Sequence, residues 1–400
     1  MPSTQEPFDL AIVGAGILGL AHALAAGKLG LRVVVIDRDT QANGASIRNF
    51  GFVVVSGEER GVVWQRSMRS RDVWLEVAAK ARIDVIHRGT TIAARRPEAL
   101  AVIEAFLKTE MGEGCELLSA TALARRQPQL DASNFAGALW SPHELRVDSR
   151  DAIPRLASWL ASEHGVEFRR ETAVRAIAPP VIETSRGPIR AAKTIVCPGD
   201  DLATLFPERI APYKVTRCKL HMLRLADPGF RLQSTLMSDL SIARYAGFAA
   251  LPEAAALRKR LEAEQNAAID NGVHLIVVQS ADGSLVVGDS HHYAPTPDPF
   301  APDDVDEIIL DEYRRVLPGA QPKVIARWTG TYASADRTMF VDTPSADIRL
   351  VMITGGNGAS TSFAIAEEVI AELFGTSAAD LKFLPARGKL FEELQIEKRH

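Results

Sequence analysis

Apolar positions in the first forty residues change period twice. Phe8 to Val13 reads as a short buried strand, and glycines follow at 14, 16 and 19. A small-residue helix carrying Ala23, Ala25 and Ala26 comes next and stops at Gly30, and a β-branched strand from Leu31 to Ile36 closes on Asp37. Strand, glycine turn, helix and strand make a complete βαβ unit. In such a unit Gly14 permits the tight turn, Gly16 lets the backbone approach a pyrophosphate, and Gly19 lets helix and strand pack closely. The helix N-terminus then offers its positive end to phosphates. Asp37 follows at close to the usual offset of about 20 residues for an acid that binds a ribose. The unit predicts dinucleotide binding, against the plainer reading of a structural turn.

Further along, helical periodicity predicts helices over 60–81, 98–110, 148–164 (ended by Gly165), 252–271 (read as a solvated face), 305–317 and 363–374. The segment 166–196 alternates like a meander. Val215 to Leu225 alternates as a half-buried antiparallel strand, and His274 to Gln279 with Ser284 to Gly288 form a hairpin about Asp282-Gly283. Leu350 to Ile353 is an apolar strand running into a second glycine cluster, Gly355 to Ser360. The two glycine-rich strand-to-helix turns stand at opposite ends of the chain. A chain that returns to its first layer would bring both to one ligand.

Composition narrows the function. The chain has 400 residues, 46% hydrophobic, with 46 Lys plus Arg against 50 Asp plus Glu. It exceeds the roughly 250–300 residues of a single core, so two domains are expected. With a net charge of −4 there is no basic excess for a phosphate backbone, and nucleic acid is not an expected partner. Cys115, Cys197 and Cys218 are too scattered for a disulfide framework or zinc site and fit a reducing, cytoplasmic setting. Met1 to Pro7 lacks the basic start of a signal peptide, and the apolar run from Leu10 to Ala26 falls short of the roughly 20 residues of a membrane span. No metal is expected: His291 and His292 are adjacent, without a third ligand at metal spacing. Hydrolase motifs are absent.

The pattern Gly14-x-Gly16-x-x-Gly19-x-x-x-Ala23, with Asp37, resembles the FAD-type dinucleotide fold. With Gly44-Ala45-Ser46-x-Arg48-Asn49-x-Gly51, Val174, Val196 to Gly199, Gly288 and Gly355 to Ser360, the chain resembles the D-amino-acid oxidase superfamily, which includes glycine and sarcosine oxidases. The segments GASIRNFG (44–51), SPHELRV (141–147), RCKLHM (217–222) and GDSH (288–291) are similar to a subgroup of flavin oxidases associated with phosphonate use, with iminodiacetate oxidase close by.

The resemblance implies an α/β fold: a Rossmann-like FAD-binding domain of the glutathione-reductase type, and an α+β substrate domain with a mixed, largely antiparallel sheet. The division would be 1–83, 145–205 and 325–385 for FAD, 84–144 and 206–324 for substrate, and 386–400 as a tail. It implies that Gly14, Gly16, Ile17, Leu18 and Gly19 meet the FAD pyrophosphate and that Asp37 and Arg38 meet the adenosine ribose. Gly44, Ala45, Ser46, Asn49 and Gly51 would cover the phosphates and the flavin edge. Val174 would bind adenine, Gly199 would close under the ribityl chain, and Gly355, Gly356, Asn357, Gly358, Ala359 and Ser360 would face flavin N1 and C2=O. Gly330 stands where sarcosine oxidases carry a flavin-linking cysteine, so FAD is expected to be non-covalent. The lysine of those enzymes is replaced by Ser360.

The implied reaction is oxidation of the C–N bond of a small acidic secondary amine by hydride transfer to flavin N5. The imine hydrolyses to amine plus aldehyde, and O2 reoxidises the flavin to give H2O2. A dehydrogenase using a carrier, or a flavin-binding sensor without turnover, stand as alternatives. Arg48, Lys219 and His291 are candidate catalytic residues. Arg48, Arg217, His274, Tyr332 and Ser360 are candidates for holding the substrate, because a carboxylate or phosphonate needs a cation or hydrogen-bond donor.

Overall fold

The computed structural model describes residues 6–319 and 321–377. The expected tail, 386–400, and the outer ends of the first and third expected FAD segments lie outside them.

The apolar runs Phe8–Val13 and Val33–Ile36 are buried on both faces, as a covered parallel sheet requires. They form a parallel layer in the order Glu167–Arg169, Val33–Ile36, Phe8–Val13, Ile189–Val196 and Ile348–Gly355. Helices Ile17–Lys28, Val62–Ala81, Ser149–His164 and Gly358–Phe374 pack together over one face. Trp74 and Phe363 meet edge to face there, with ring centroids 5.2 Å apart. Asp148 caps its helix by accepting a hydrogen bond from the Arg150 amide, and Gly165 ends it at φ +65°.

The second sheet is built around Thr216–Leu225, which pairs antiparallel with Leu285–Gly288, His292–Ala294 and Val324–Ser345. It continues through Ile276–Gln279, Thr235–Ser238 and Val85–Ala94 to Gly137–Val147. The 22-residue strand Val324–Ser345 belongs to both sheets. Its first half pairs with Thr216–Leu225 and its second half with Ile348–Gly355. The mixed α/β architecture agrees with the sequence expectation.

Several local expectations are corrected. The last helix starts at Gly358, not 363, so Gly358 to Ser360 of the second glycine cluster belong to its first turn. The expected helix 252–271 is two helices, Ala254–Glu264 and Asn266–Asp270, and Leu257 and Leu261 on the first are fully buried. The break falls at Gln265, whose side-chain amide is held between Arg96 and Glu312. The helix expected over 98–110 spans Pro97–Phe106. Glu167–Arg169 is not part of the meander but an edge of the parallel layer. Thr216–Leu225 is buried on both faces rather than one, because helix Asp303–Val316 and the loop around 298–300 satisfy its polar side chains.

Candidate active site

A single cavity of about 770 Å³ runs from the first glycine turn to the middle of the second sheet. At one end two helix starts face it. Ile17–Lys28 begins at Gly16 and Gly358–Phe374 begins at Asn357, and neither N-cap residue caps its own helix with its side chain, although the Ser46 hydroxyl takes the Ile17 amide. Their first-turn amides therefore present positive charge to the cavity. Gly19 is fixed by contact: a Cβ there would lie 1.9 Å from the Gly14 carbonyl oxygen.

Asp37 faces this end but is tied to the turn, accepting from the Ala15 amide at 2.6 Å and the Asp39 amide at 2.9 Å. Arg38 is 61% exposed and paired with Asp201 at 2.8 Å. Ser46 accepts from the Ile17 amide at 2.9 Å. Asn49 folds its own loop, donating to the Ala45 carbonyl and accepting from the Gly51 amide and the Ser149 hydroxyl. Ser360 accepts from the Val54 amide. Gly14, Gly16, Ile17, Leu18, Gly19, Gly44, Ala45, Arg48, Val174, Gly199, Gly330 and Gly355 to Ala359 also line the cavity. Arg48 donates to the Asn43 side chain at 3.1 Å.

Three sequence candidates are not brought to the cavity wall. Gly51 packs against Gly137–Val147, where a Cβ would lie 1.7 Å from the Val147 oxygen. Arg217 donates to the carbonyls of Asp200 and Pro295. Lys219 donates to the carbonyls of Asp298 and Phe300 at 2.8 and 2.7 Å. Both basic side chains are committed to holding loops, which removes them from the substrate end.

At the far end the cavity is lined by His274, His291 and Tyr332, as expected, and by four residues the sequence reading missed: Glu58, Arg244, Tyr245 and Asp289. Arg244 ends helix Asp239–Arg244 and donates to the Tyr293 hydroxyl at 3.0 Å. No carboxylate lies within ion-pair distance of it among the described residues. Asp289 sits between the two histidines, 3.0 Å from His274 Nε2 and 3.8 Å from His291 Nε2.

Burial drives His291 down to about 3 against the pull of Asp289, so its ring is neutral. His291 Nδ1 lies 2.9 Å from the Gly272 carbonyl, which fixes the tautomer with Nε2 bare toward Asp289. His274, Asp289 and His291 offer ligand atoms within 4.8 Å of one another, the one such His/Asp cluster among the described residues, and this donor set could hold a cation. The pairing of Asp289 with His291 was present in the GDSH segment. Arg244 and Glu58 carried no such local signal.

A family model described as FAD dependent oxidoreductase matches residues 9–373. The chain belongs to that family. Among curated relatives, glycine oxidase of Geobacillus kaustophilus is 24% identical over 206 residues, covering 48% of this chain and 54% of its own. The bifunctional protein ThiO/ThiG of Nostoc sp. is 27% identical over 234 residues, covering 55% and 34%. The chain thus spans about a third to a half of the length of these relatives. In fold, the crystal structure of the Geobacillus glycine oxidase superposes with a TM-score of 0.74 at 19% identity, covering 93% of this chain and 96% of that one. The crystal structure of iminodiacetate oxidase from Chelativorans sp. BNC1 superposes with a TM-score of 0.72 at 19% identity, covering 96% and 98%.

FAD is the cofactor of the family, and the cavity fits it: two helix starts and a glycine turn too tight for a side chain stand where a pyrophosphate needs amide donors. Cys197 is the cysteine that lines the cavity, and burial pushes its thiol well up from the usual value, which leaves it a poor nucleophile. No helix among the described residues is long and apolar enough to cross a membrane.

Proposed function

We propose that this FAD-dependent oxidoreductase oxidises the C–N bond of a small acidic secondary amine, of the iminodiacetate or N-alkyl-2-aminoethylphosphonate kind. The imine product hydrolyses to an amine and an aldehyde, with oxygen as final acceptor and hydrogen peroxide as by-product. The observation that carries this reading is Arg244, a guanidinium lining the cofactor cavity with no carboxylate within ion-pair distance among the described residues. A planar cation in a protected site is matched by a carboxylate or phosphonate.

Bound FAD supplies the two-electron acceptor. The chain's own residues bind and orient. Arg244 would take the acid group. Tyr332, against the start of the last helix, would hold a second oxygen, and neutral His291 would keep that wall free of competing positive charge. Arg48, beside Asn43 at the cavity rim, would guide anions inward. The raised Cys197 thiol and Gly330, which carries no side chain to link, support non-covalent attachment of FAD.

The test is anaerobic bleaching of the flavin absorbance by iminodiacetate, N-methyl-2-aminoethylphosphonate, sarcosine and glycine added separately. Rapid bleaching by one of the first two is expected and identifies which acid group is read. A flavin that none of them bleaches would sink the substrate class. Oxygen uptake with peroxide formation on readmitting air is expected of an oxidase, and its absence would point to a carrier-coupled dehydrogenase.

A further inference from the structure

Glu58 is an acid with no obvious reason to be where it is. It follows the strand Phe52–Val53 on the loop that carries Ser56 and Gly57, is 7% exposed, and lines the cavity. A buried carboxylate is normally paired, yet no Lys, Arg or His lies within ion-pair distance of Glu58 among the described residues. The Asn357 side-chain amide donates to Oε2 at 3.0 Å from the start of the last helix, and the Ser360 hydroxyl lies within hydrogen-bonding reach of the carboxylate.

The charged and titratable groups that face it come from every element around it. They are Glu59 on its own loop and Tyr245, which lies within electrostatic reach of both Glu58 and Arg244, beside the neutral hydrogen-bond donors Asn357 and Ser360 at the start of the last helix. The same cavity is lined by Arg244, Asp289, His274 and His291. One cavity therefore holds an acid and a base, each without an ion-pair partner. That arrangement is complementary to a zwitterion.

We propose that Glu58 receives the ammonium group of the substrate and takes its proton, while Arg244 holds the acid group. This rests on the amine reading given above. An amine can be oxidised only as the free base, because its lone pair must become part of the new C=N bond. The N–H proton of the bound ammonium passes to the Glu58 oxygen not engaged by Asn357. The lone pair left on nitrogen forms the C=N bond as the α-hydrogen departs with its electron pair, FAD being the oxidant. The substrate thus loses two electrons and two hydrogens, one of them held as a proton on Glu58. Burial supports the assignment: it pushes the carboxyl up to about 7, against the hydrogen bonds from Asn357 and Ser360 and with Glu59 adding to it. A base poised there accepts and releases a proton near neutral pH.

The test uses the FAD-loaded enzyme and Glu58→Gln, whose amide oxygen can still accept from Asn357. Flavin content and thermal melting establish that both are folded. In anaerobic stopped-flow with the amine that bleaches the wild type, wild-type reduction should titrate with an apparent pKa near 7. E58Q should be slower by about 10²–10³-fold at neutral pH and should gain tenfold per pH unit as free amine accumulates.

A second reading needs no turnover and no variant. The quaternary acid N,N,N-trimethylglycine has no proton to give, and its binding is followed by perturbation of the flavin spectrum. It should bind the wild type more weakly as pH falls through 7 and Glu58 becomes neutral, and bind E58Q without that dependence. An E58Q with wild-type rate and pH profile, or pH-independent binding of the quaternary acid to the wild type, overturns the assignment and leaves the amine reading intact. A wild type that no acidic amine reduces overturns the amine reading and this assignment with it.

Discussion

The two ends of the cavity are built by opposite means. The dinucleotide end is made of backbone: helix starts, a glycine turn and carbonyl contacts, drawn from two short runs of sequence around 14–19 and 355–360. The far end is made of side chains that the fold collects from four separate segments, at Glu58, Arg244–Tyr245, His274 with Asp289 and His291, and Tyr332. Backbone donors accept any ligand carrying a pyrophosphate, so that end serves a whole family. Side-chain charges select, so the far end is where members of one fold part company.

The comparison can be broken at either end, and the largest effect is expected at the first. Gly19→Val places carbon where the Gly14 carbonyl oxygen already stands. The variant should purify without flavin absorbance, and full FAD occupancy would show that the turn does not set the cofactor site. At the far end Arg244→Met should keep its flavin and lose on the order of 10²-fold in kcat/KM, about 2–4 kcal/mol, as expected for removing one partner of a buried charge pair. Steady-state kinetics within threefold of wild type would remove Arg244 from the substrate site. Lys219→Met sharpens the contrast by separating a strut from a reader of substrate. Its loss leaves the carbonyls of Asp298 and Phe300 without their donor and should cost about 1–3 kcal/mol in denaturant unfolding. Its kcat/KM should stay within threefold.

The same contrast explains what could be read from the chain alone. The first turn was legible because period, glycine spacing and a terminal acid occur consecutively, and each is forced by backbone sterics. The second cluster was legible for the same reason, although its helix begins five residues earlier than apolar periodicity suggested: Gly358, Ala359 and Ser360 give no hydrophobic signal yet are helical. Arg217 and Lys219 stood as candidates because each carries a cation on an alternating strand, and alternation reports which side a residue takes. It does not report which loop covers that side. Arg244 and Glu58 were invisible for the complementary reason. One ends a six-residue helix with no periodic pattern and the other lies in a loop. Their meaning comes only from neighbours far away in sequence.

Strand Val324–Ser345 has a mechanical consequence. At about 3.3 Å per residue it is a beam of roughly 70 Å, hydrogen-bonded along its first half to one sheet and along its second to the other. Residues 335–338, between the two ladders, fall outside the register of both. The two sheets share one continuous backbone, so the cofactor end and the substrate end are joined through a single strand. The short helices Asp239–Arg244 and Ala246–Ala249 flank the cavity and are pinned to the Glu58 loop through the Gly247 amide, which donates to the Gly57 carbonyl at 3.1 Å. The segments that carry the substrate's two proposed charge partners are thus tied to each other by backbone, and the spacing a zwitterion must match is held by a hydrogen bond rather than by side-chain reach.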